Sequence, residues 1–105
     1  MTAKCIHVIE SEGRIERMDE RIWESGFWPV FPAKAKRLVG GSIFFHKKGT
    51  APSFFGGVIL DYRIEEAGKF AGQVAFKFQY FDDHRGVCAD KGGWRDGVKV
   101  VLPSG

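Results

Sequence analysis

The clearest alternation of apolar and polar side chains lies in residues 73–81. Every second position there carries a large apolar or aromatic side chain, namely Val74, Phe76, Phe78 and Tyr80. Because successive side chains of a strand point to opposite faces, this period predicts a strand with one face in the core. The same period predicts a last strand whose core face carries Val98, Val100 and Leu102.

Three further runs rich in β-branched and aromatic residues predict strands, at Cys5–Ile9, Ser42–Lys47 and Gly57–Ile64. Polar segments that contain glycine follow these runs, and such segments are typical of turns between short strands. The chain is therefore expected to form a series of short strands joined by turns.

Two segments have the features of short helices. Three apolar residues have the spacing i, i+3 and i+7, namely Ile15, Met18 and Ile22. With charged residues between them, this spacing predicts an amphipathic helix of about three turns around Ile15–Trp23. A second helix is predicted over residues 33–39, because Pro32 stands at its start and Gly40 just past its end.

Five or six short strands and two short helices predict an α+β fold. The helices are too few to cover a parallel sheet, and closing an antiparallel sheet removes its exposed edges. A small, mostly antiparallel β-barrel is therefore the expected arrangement. The 105 residues fit a single domain, residues 1–105, that buries a core without disulfides or metals.

The apolar runs of the chain are short. None approaches the ~20 residues that cross a bilayer, and charged residues follow too soon at the start for a signal peptide. We therefore expect a cytoplasmic protein without membrane contact. In that compartment Cys5 and Cys88 are expected to stay reduced.

The middle of the chain carries the positive charge. Between Ser25 and Leu60 there are basic residues and no acidic ones, and the formal net charge of the whole chain is +3. The basic residues of this segment are Lys34, Lys36, Arg37, Lys47 and Lys48. A positive field beside many aromatic side chains favours an anionic partner, and nucleic acid is the commonest one.

Two tryptophans lie in segments rich in proline and glycine. Trp28 belongs to the loop Phe27–Pro32, and Trp94 to the loop Gly92–Gly97. Loops of this kind present aromatic side chains at binding sites. We predict a concave ligand site between these two loops and the end of the strand at Phe45-His46. Its predicted ligand-binding residues are Trp28, Phe45, His46 and Trp94.

Potential metal ligands are few and poorly spaced. Cys5 and His7 are two positions apart, and His84 and Cys88 are four apart. Neither spacing is that of a zinc finger or ribbon. We expect free thiols, no metal and no cofactor.

Residues for catalysis are equally sparse. The run Asp82-Asp83-His84 places carboxylates beside an imidazole, which are the groups of a general base and its orienting partner. A solvated turn explains the same composition, and the chain contains no GxSxG, HExxH or Walker motif. The sequence therefore favours a binding protein over an enzyme without deciding the question.

One stretch has a family likeness. A short helix with Ala-Lys ends at Gly40, the strand Ile43-Phe44-Phe45-His46 follows, and Phe55-Gly56-Gly57-Val58-Ile59 comes after a loop. This order resembles the PUA-like superfamily, in particular its EVE and ASCH branches, over residues 27–64. In this chain Lys47 stands where these families often have serine.

The resemblance implies a small pseudo-barrel that binds RNA, or a modified or flipped base, in a cleft lined by aromatic residues. By position, Phe45 and His46 would approach that cleft, and Trp28 would come from the loop before it. No catalytic residue is implied.

Three functions remain open on the sequence alone. The leading one is a nucleic-acid-binding module that recognises RNA or modified DNA. The first alternative is a small-molecule-binding protein or enzyme that uses the same cleft. The second is an oligomerising or partner-binding domain with an exposed surface rich in phenylalanine. Salt dependence separates the nucleic-acid-binding function from the other two, because phosphate contacts release counterions and apolar interfaces do not.

Overall fold

The computed structural model of the protein describes residues 4–10, 13 and 15–103. Its strands are β1 (Cys5–Ile9), β2 (Ile15–Arg17), β3 (Ile22–Trp28), β4 (Ser42–His46), β5 (Phe55–Ile64), β6 (Val74–Tyr80) and β7 (Val98–Val101). The described residues contain one α-helix, α1 (Pro32–Leu38), and a 3-10 turn at Asp82–His84. No helix in this part of the chain has the length and apolarity that a membrane span requires.

The seven strands form one sheet in the order β2-β3-β6-β5-β4-β1-β7. Strands β1 and β4 run parallel, and the other neighbouring strands are antiparallel. The predicted mostly antiparallel, β-rich fold is therefore confirmed. The sheet is open, since β2 and β7 stand at its two ends and no hydrogen-bonded pairing joins them within the described residues.

The predicted helix around Ile15–Trp23 is wrong, because this segment forms the β2–β3 hairpin. Ile15 pairs with Ser25 and Arg17 with Trp23. The guanidinium of Arg17 closes the turn by donating to the carbonyl oxygens of Asp19 and Glu20, at 2.9 Å each. A helix and a hairpin both satisfy the backbone, but pairing of β3 with β6 also buries residues such as Ser25 and Trp28 in the core, and this outweighs the local helical spacing.

The second predicted helix is confirmed as α1. Pro32 stands in its first turn, where a missing backbone N–H removes no helical hydrogen bond. Ala35 and Leu38 are buried and three positions apart, so they share the face that packs on the sheet. Gly40 follows with φ of 88°, a backbone conformation that favours glycine.

The core lies between α1 and one face of the sheet. Alternate residues of β1, β4 and β6 enter it, in agreement with the period of two predicted for β6. The fully buried large side chains include Ile6, Val8, Ile43, Phe45, Val74, Phe76 and Phe78. Val98 is buried too, and Val100 and Leu102 pack against the core, which confirms the predicted core face of the last strand.

Candidate functional site

A cleft of about 410 Å³ opens where the chain enters α1. One wall comes from Pro29, Val30, Phe31 and Lys34, and the other from the segment Gly93-Trp94-Arg95. Val98 and Val100 of β7 complete the lining. The two loops predicted to surround a concave site therefore both border this cleft.

Prolines position the first wall. The residue before a proline avoids the helical region, and Phe31, which precedes Pro32, has φ of −64° and ψ of 139°. This extended backbone directs the Phe31 side chain outward, and the residue is 75% exposed. A large aromatic group thus stands in solvent at the edge of the cleft.

A tight turn positions the second wall. Asp96 and Gly97 both have positive φ, 53° and 77°, as in the two-residue turns that match the twist of a hairpin. The backbones of Arg95 and Val98 exchange two hydrogen bonds across this turn, at 2.8 and 2.9 Å. The Lys99 ammonium group also donates to the carbonyl oxygen of Gly92. Arg95 is therefore held at the rim by backbone geometry.

The charged groups that line the cleft are both cationic. Lys34 and Arg95 supply them, and the lining includes no carboxylate. Their side chains are exposed, so they remain hydrated and accessible to an anion. The rest of the lining is mostly apolar or aromatic, a combination that suits a ligand with both a flat ring and a negative charge.

Trp94 lies between the cleft and the residues behind it. Its ring meets the ring of His46 edge to face, with centroids 5.8 Å apart. Gly49 packs on the same indole, because a Cβ added there would stand 3.5 Å from Nε1 and Cε2. The indole Nε1 is buried and has no hydrogen-bond acceptor in the described part of the chain.

The four predicted ligand residues do not line one site in the structure. Of these, Trp94 lines the cleft, and His46 is buried directly behind it. The prediction that Trp28 lies in a loop is wrong, because Trp28 is the last residue of β3. It is 2% exposed in the core, where its indole N–H donates to Ser25 Oγ at 3.0 Å. Phe45 is fully buried, with its ring centroid 5.2 Å from that of Phe78. Trp28 and Phe45 therefore lie in the core and do not line the cleft.

The five predicted basic residues are all exposed. Lys34 lines the cleft. Lys47 and Lys48 follow β4 in the loop that reaches Trp94 through Gly49. Lys36 and Arg37 lie on α1 outside the lining, and Arg37 donates to the carbonyl oxygen of Pro103 at 3.2 Å.

Two cleft residues, Phe31 and Arg95, were not among the predicted site residues. The sequence signal for Phe31 is its position just before Pro32, which keeps the residue extended at the entry to α1. The signal for Arg95 is the Asp96-Gly97 pair that follows it, which is typical of a tight hairpin turn. Neither signal shows which way the side chain points.

A second polar region lies on the face of β1 and β4 that turns away from the core. His7, Phe44 and His84 form a stack of three rings, with neighbouring centroids 5.0 and 5.1 Å apart. His46 lies beside His7, with centroids 5.0 Å apart. We call the cluster of these four residues the histidine face, and its three histidines are buried. It brings together all three histidines of the chain.

Gly56 makes room for this arrangement. A Cβ at Gly56 would stand 2.4 Å from the carbonyl oxygen of Ile43 and 3.0 Å from Cβ of His84. Real Cβ atoms essentially never approach another heavy atom within 3.0 Å. Glycine at position 56 therefore allows both the pairing of β5 with β4 and the close approach of His84.

One hydrogen-bonded series on the histidine face joins a thiol to two imidazoles. The carbonyl oxygen of Ala51 only accepts, so Nδ1 of His46 donates to it at 2.8 Å. In neutral His46, Nε2 then accepts a hydrogen bond from Nδ1 of His7 at 2.9 Å. This leaves Nε2 of His7 as an acceptor, 3.7 Å from Sγ of Cys5. The thiol, and not the thiolate, fits this order.

The electrostatics agree with that order. Burial, together with the nearby His46 and Lys99, lowers the pKa of His7 to about 4, while Asp90 acts in the opposite direction. Burial also raises the pKa of the Cys5 thiol, and Lys99 offsets part of this effect. At neutral pH His7 is therefore an uncharged imidazole and Cys5 a protonated thiol.

A second series joins Ser42, His84 and Asp83. Oγ of Ser42 lies 2.9 Å from Nε2 of His84, and Nδ1 of the same ring lies 2.7 Å from Oδ1 of Asp83. The carboxylate only accepts, so Nδ1 donates to it. When the other nitrogen carries no proton, Nε2 accepts from the Ser42 hydroxyl. The carboxylate and the imidazole are adjacent in the sequence, whereas the hydroxyl is 42 positions away.

The histidine rings are fully engaged within the protein. Each of the six ring nitrogens has a hydrogen-bond partner among the described residues. The same residues contain no group of three histidine, cysteine, aspartate or glutamate side chains placed to hold a metal ion. Cys5 is partly buried and Cys88 exposed, and both are free thiols.

Trp94 joins the two regions. One side of the indole borders the cleft, and its ring centroid lies 6.3 Å from that of His7. A ligand in the cleft would therefore be separated from the histidine face by one aromatic ring. Comparison with family models, with curated proteins and with solved structures finds no match.

Proposed function

We propose that the protein is a nucleic-acid-binding module that holds a nucleotide in the cleft. The observation that carries this proposal is the exposed ring of Phe31 beside Lys34 and Arg95. An aromatic group in solvent next to two exposed cations matches a base on one side and its phosphate on the other.

The contacts divide between base and backbone. The base stacks on Phe31 and meets the apolar lining of Val98 and Val100. Lys34 and Arg95 contact the flanking phosphates and fix the direction of the strand without reading its sequence. Stacking on an aromatic side chain contributes about 1–3 kcal/mol per base and tolerates every base.

The PUA-like resemblance over residues 27–64 narrows the ligand. On this basis the open sheet is one part of a pseudo-barrel, and the ligand is RNA or a modified base. Trp28 and Phe45 then act as buried supports of the cleft, and Trp94 is the tryptophan that meets the ligand. A cytoplasmic location completes this part of the proposal.

A second candidate is a small anionic aromatic molecule. The volume of about 410 Å³ supports it, because small-molecule pockets begin at about 300 Å³. The two candidates differ in how their affinity depends on strand length and on salt. Affinity for an oligonucleotide rises with strand length and falls steeply with salt, whereas a mononucleotide-sized ligand makes too few phosphate contacts for a steep slope.

The test is a set of anisotropy titrations with labelled single-stranded RNA, duplex DNA and duplex DNA that carries a modified base, at two salt concentrations. We expect Phe31→Ala to weaken binding by about 1–3 kcal/mol. Met18→Ala is the matched control, because Met18 is also an exposed apolar residue and lies in the β2–β3 turn. Equal affinities of the Phe31 variant and wild type would remove the cleft as the binding site.

A further inference from the structure

We propose that Ser42, His84 and Asp83 form a hydrolytic site for activated carboxylic esters. Ser42 is the nucleophile and His84 its general base. Asp83 is a positioning residue. This activity does not depend on nucleic acid binding, because none of the three residues lines the cleft.

The order of the atoms supports the proposal. A serine is activated when one imidazole nitrogen accepts its proton and the other is held by a carboxylate. Here Nε2 of His84 lies 2.9 Å from Ser42 Oγ, and Nδ1 lies 2.7 Å from Asp83 Oδ1. Both distances are those of formed hydrogen bonds, and the nitrogens are used in the required order.

The imidazole is held firmly in this position. One face of the His84 ring stacks on Phe44, with an angle of 25° between the ring planes. Gly56 leaves room for Cβ of His84, which would stand 3.0 Å from a Cβ added at position 56. A ring confined in this way presents Nε2 to Ser42 in a single orientation, which general base catalysis requires.

The turn that carries His84 is also fastened. Ser53 is buried and donates through Oγ to the carbonyl oxygen of His84 at 2.6 Å. The same Oγ accepts from the backbone N–H of Val87 at 2.9 Å. The Ser53 backbone forms two further hydrogen bonds with Gly86 and Val87, at 2.7 and 2.8 Å. Four hydrogen bonds therefore join this turn to the segment before β5.

The nucleophile is open to solvent in part. Ser42 is the first residue of β4 and is partly exposed, directly after Gly40 and Gly41. The Asp83 side chain is 84% exposed on the far side of the imidazole. In this proposal the ester, and then water, reach Oγ through the exposed part of Ser42.

The reaction has two balanced halves. Ser42 Oγ attacks the ester carbonyl carbon as its proton passes to Nε2 of His84, and the tetrahedral intermediate expels the alcohol, which takes that proton. Water then attacks the acyl-serine while Nε2 accepts its proton. The carboxylic acid leaves, and Ser42 regains its hydrogen from His84. No oxidant, reductant or metal is consumed.

The neighbouring thiol of Cys5 is an alternative site of modification, so the test must show which of the two residues reacts. Cys5 pairs with Ser42 in the parallel β1–β4 ladder, so a reactive probe meets two nucleophiles at this place. A fluorophosphonate probe, with peptide mapping by mass spectrometry, identifies which one is modified in the wild-type protein. We expect the phosphonyl group on Ser42. Modification of Cys5, or of neither residue beyond the level in urea-unfolded protein, would overturn the proposal.

Hydrolysis of p-nitrophenyl acetate provides the second readout. We expect Ser42→Ala and His84→Gln each to lower the rate by about a hundredfold, while Cys5→Ala leaves it unchanged. Asp83→Asn should lower the rate and displace the pH–rate profile, and Asp83→Glu should restore both in part. An unchanged rate in folded Ser42→Ala refutes the proposal, and the wild-type peptide map decides the matter if that variant does not fold.

Discussion

Nδ1 of His7 lies 2.9 Å from Nε2 of His46, which joins two buried rings 39 positions apart in the chain. The two residues belong to neighbouring parallel strands, and each ring has its second nitrogen engaged as well. Protonation of His7 would turn its accepting nitrogen into a donor and place a charge next to His46. The arrangement therefore disfavours the charged form of His7 while the protein is folded.

The first prediction is a loss of stability in mild acid. The pKa of His7 falls from 6.5 to about 4 on folding, so between these values the unfolded chain binds a proton that the folded protein does not. The free energy of unfolding should therefore fall as pH decreases from about 6.5 to about 4, by about 2–3 kcal/mol from this residue. Urea unfolding across this range measures it.

The matched variant is His7→Gln, which keeps a hydrogen-bond donor but does not titrate. Its free energy of unfolding should depend less on pH in this window than that of the wild type. The carboxylates titrate in both proteins, so the difference between the two curves isolates His7. Parallel curves would contradict the assignment.

The second prediction separates the buried tryptophan from the exposed phenylalanine. Trp28→Ala should lower the free energy of unfolding by about 3–5 kcal/mol, because it empties a core site and removes the donor to Ser25. Phe31→Ala should change it by less than about 0.5 kcal/mol, because Phe31 contributes little buried surface. Denaturant melts give both values, and comparable losses would show that Phe31 packs in the core.

The third prediction concerns salt. If Lys34 and Arg95 each contact a phosphate, the variant with both changed to Ala should flatten the plot of log affinity against log salt by about 1.4–1.8. Lys47→Ala combined with Lys48→Ala should flatten it by about 0.7–0.9 for each phosphate that these lysines neutralise. Lys77→Ala, an exposed lysine on β6 outside the cleft lining, is the control. Equal slopes for the wild type and the three variants would show that these basic residues are hydrated at the surface and contact no phosphate.

The fourth prediction tests the packing of the 3-10 turn. Gly56→Ala should lower the free energy of unfolding by about 1–3 kcal/mol, because the new methyl group meets the Ile43 carbonyl oxygen and His84. Gly92→Ala is the control, since nothing lies within 4 Å of its added Cβ. Thermal melts should show a lower midpoint for the first variant only. An unchanged midpoint for Gly56→Ala would mean that both β4 and the 3-10 turn move away from the new methyl group without cost.

The sequence determined the elements whose causes are local. Residues 73–81 contain β6 because a strict period of two needs only the pleat of a strand to separate core from surface. Pro32 and Gly40 mark the ends of α1, because each acts through its own backbone. Where local signals were compatible with both a helix and a strand, the pairing of strands determined the secondary structure. The spacing in Ile15–Trp23 also fits a helix, and the contact of β3 with β6 made it a hairpin.

The cleft shows the same division at the level of side chains. Its two loops were predictable from their prolines and glycines, and so was the presence of Trp94. The burial of Trp28 was not, because the register shifts between Ser25 and Trp28, where that indole turns into the core. A shift of one position along a strand moves the following side chains to the other face of the sheet. The sequence pattern of this segment does not predict that shift.

Only the tertiary structure assembled the histidine face. His7, His46 and His84 are far apart in the chain and share no motif spacing. The parallel pairing of β1 with β4 brings His7 and His46 onto neighbouring strands, and Gly56 admits His84 beside Phe44. Sequence determines which titratable groups exist. Long-range pairing of strands determines their hydrogen-bond partners and their burial. It therefore also determines the direction in which each pKa shifts.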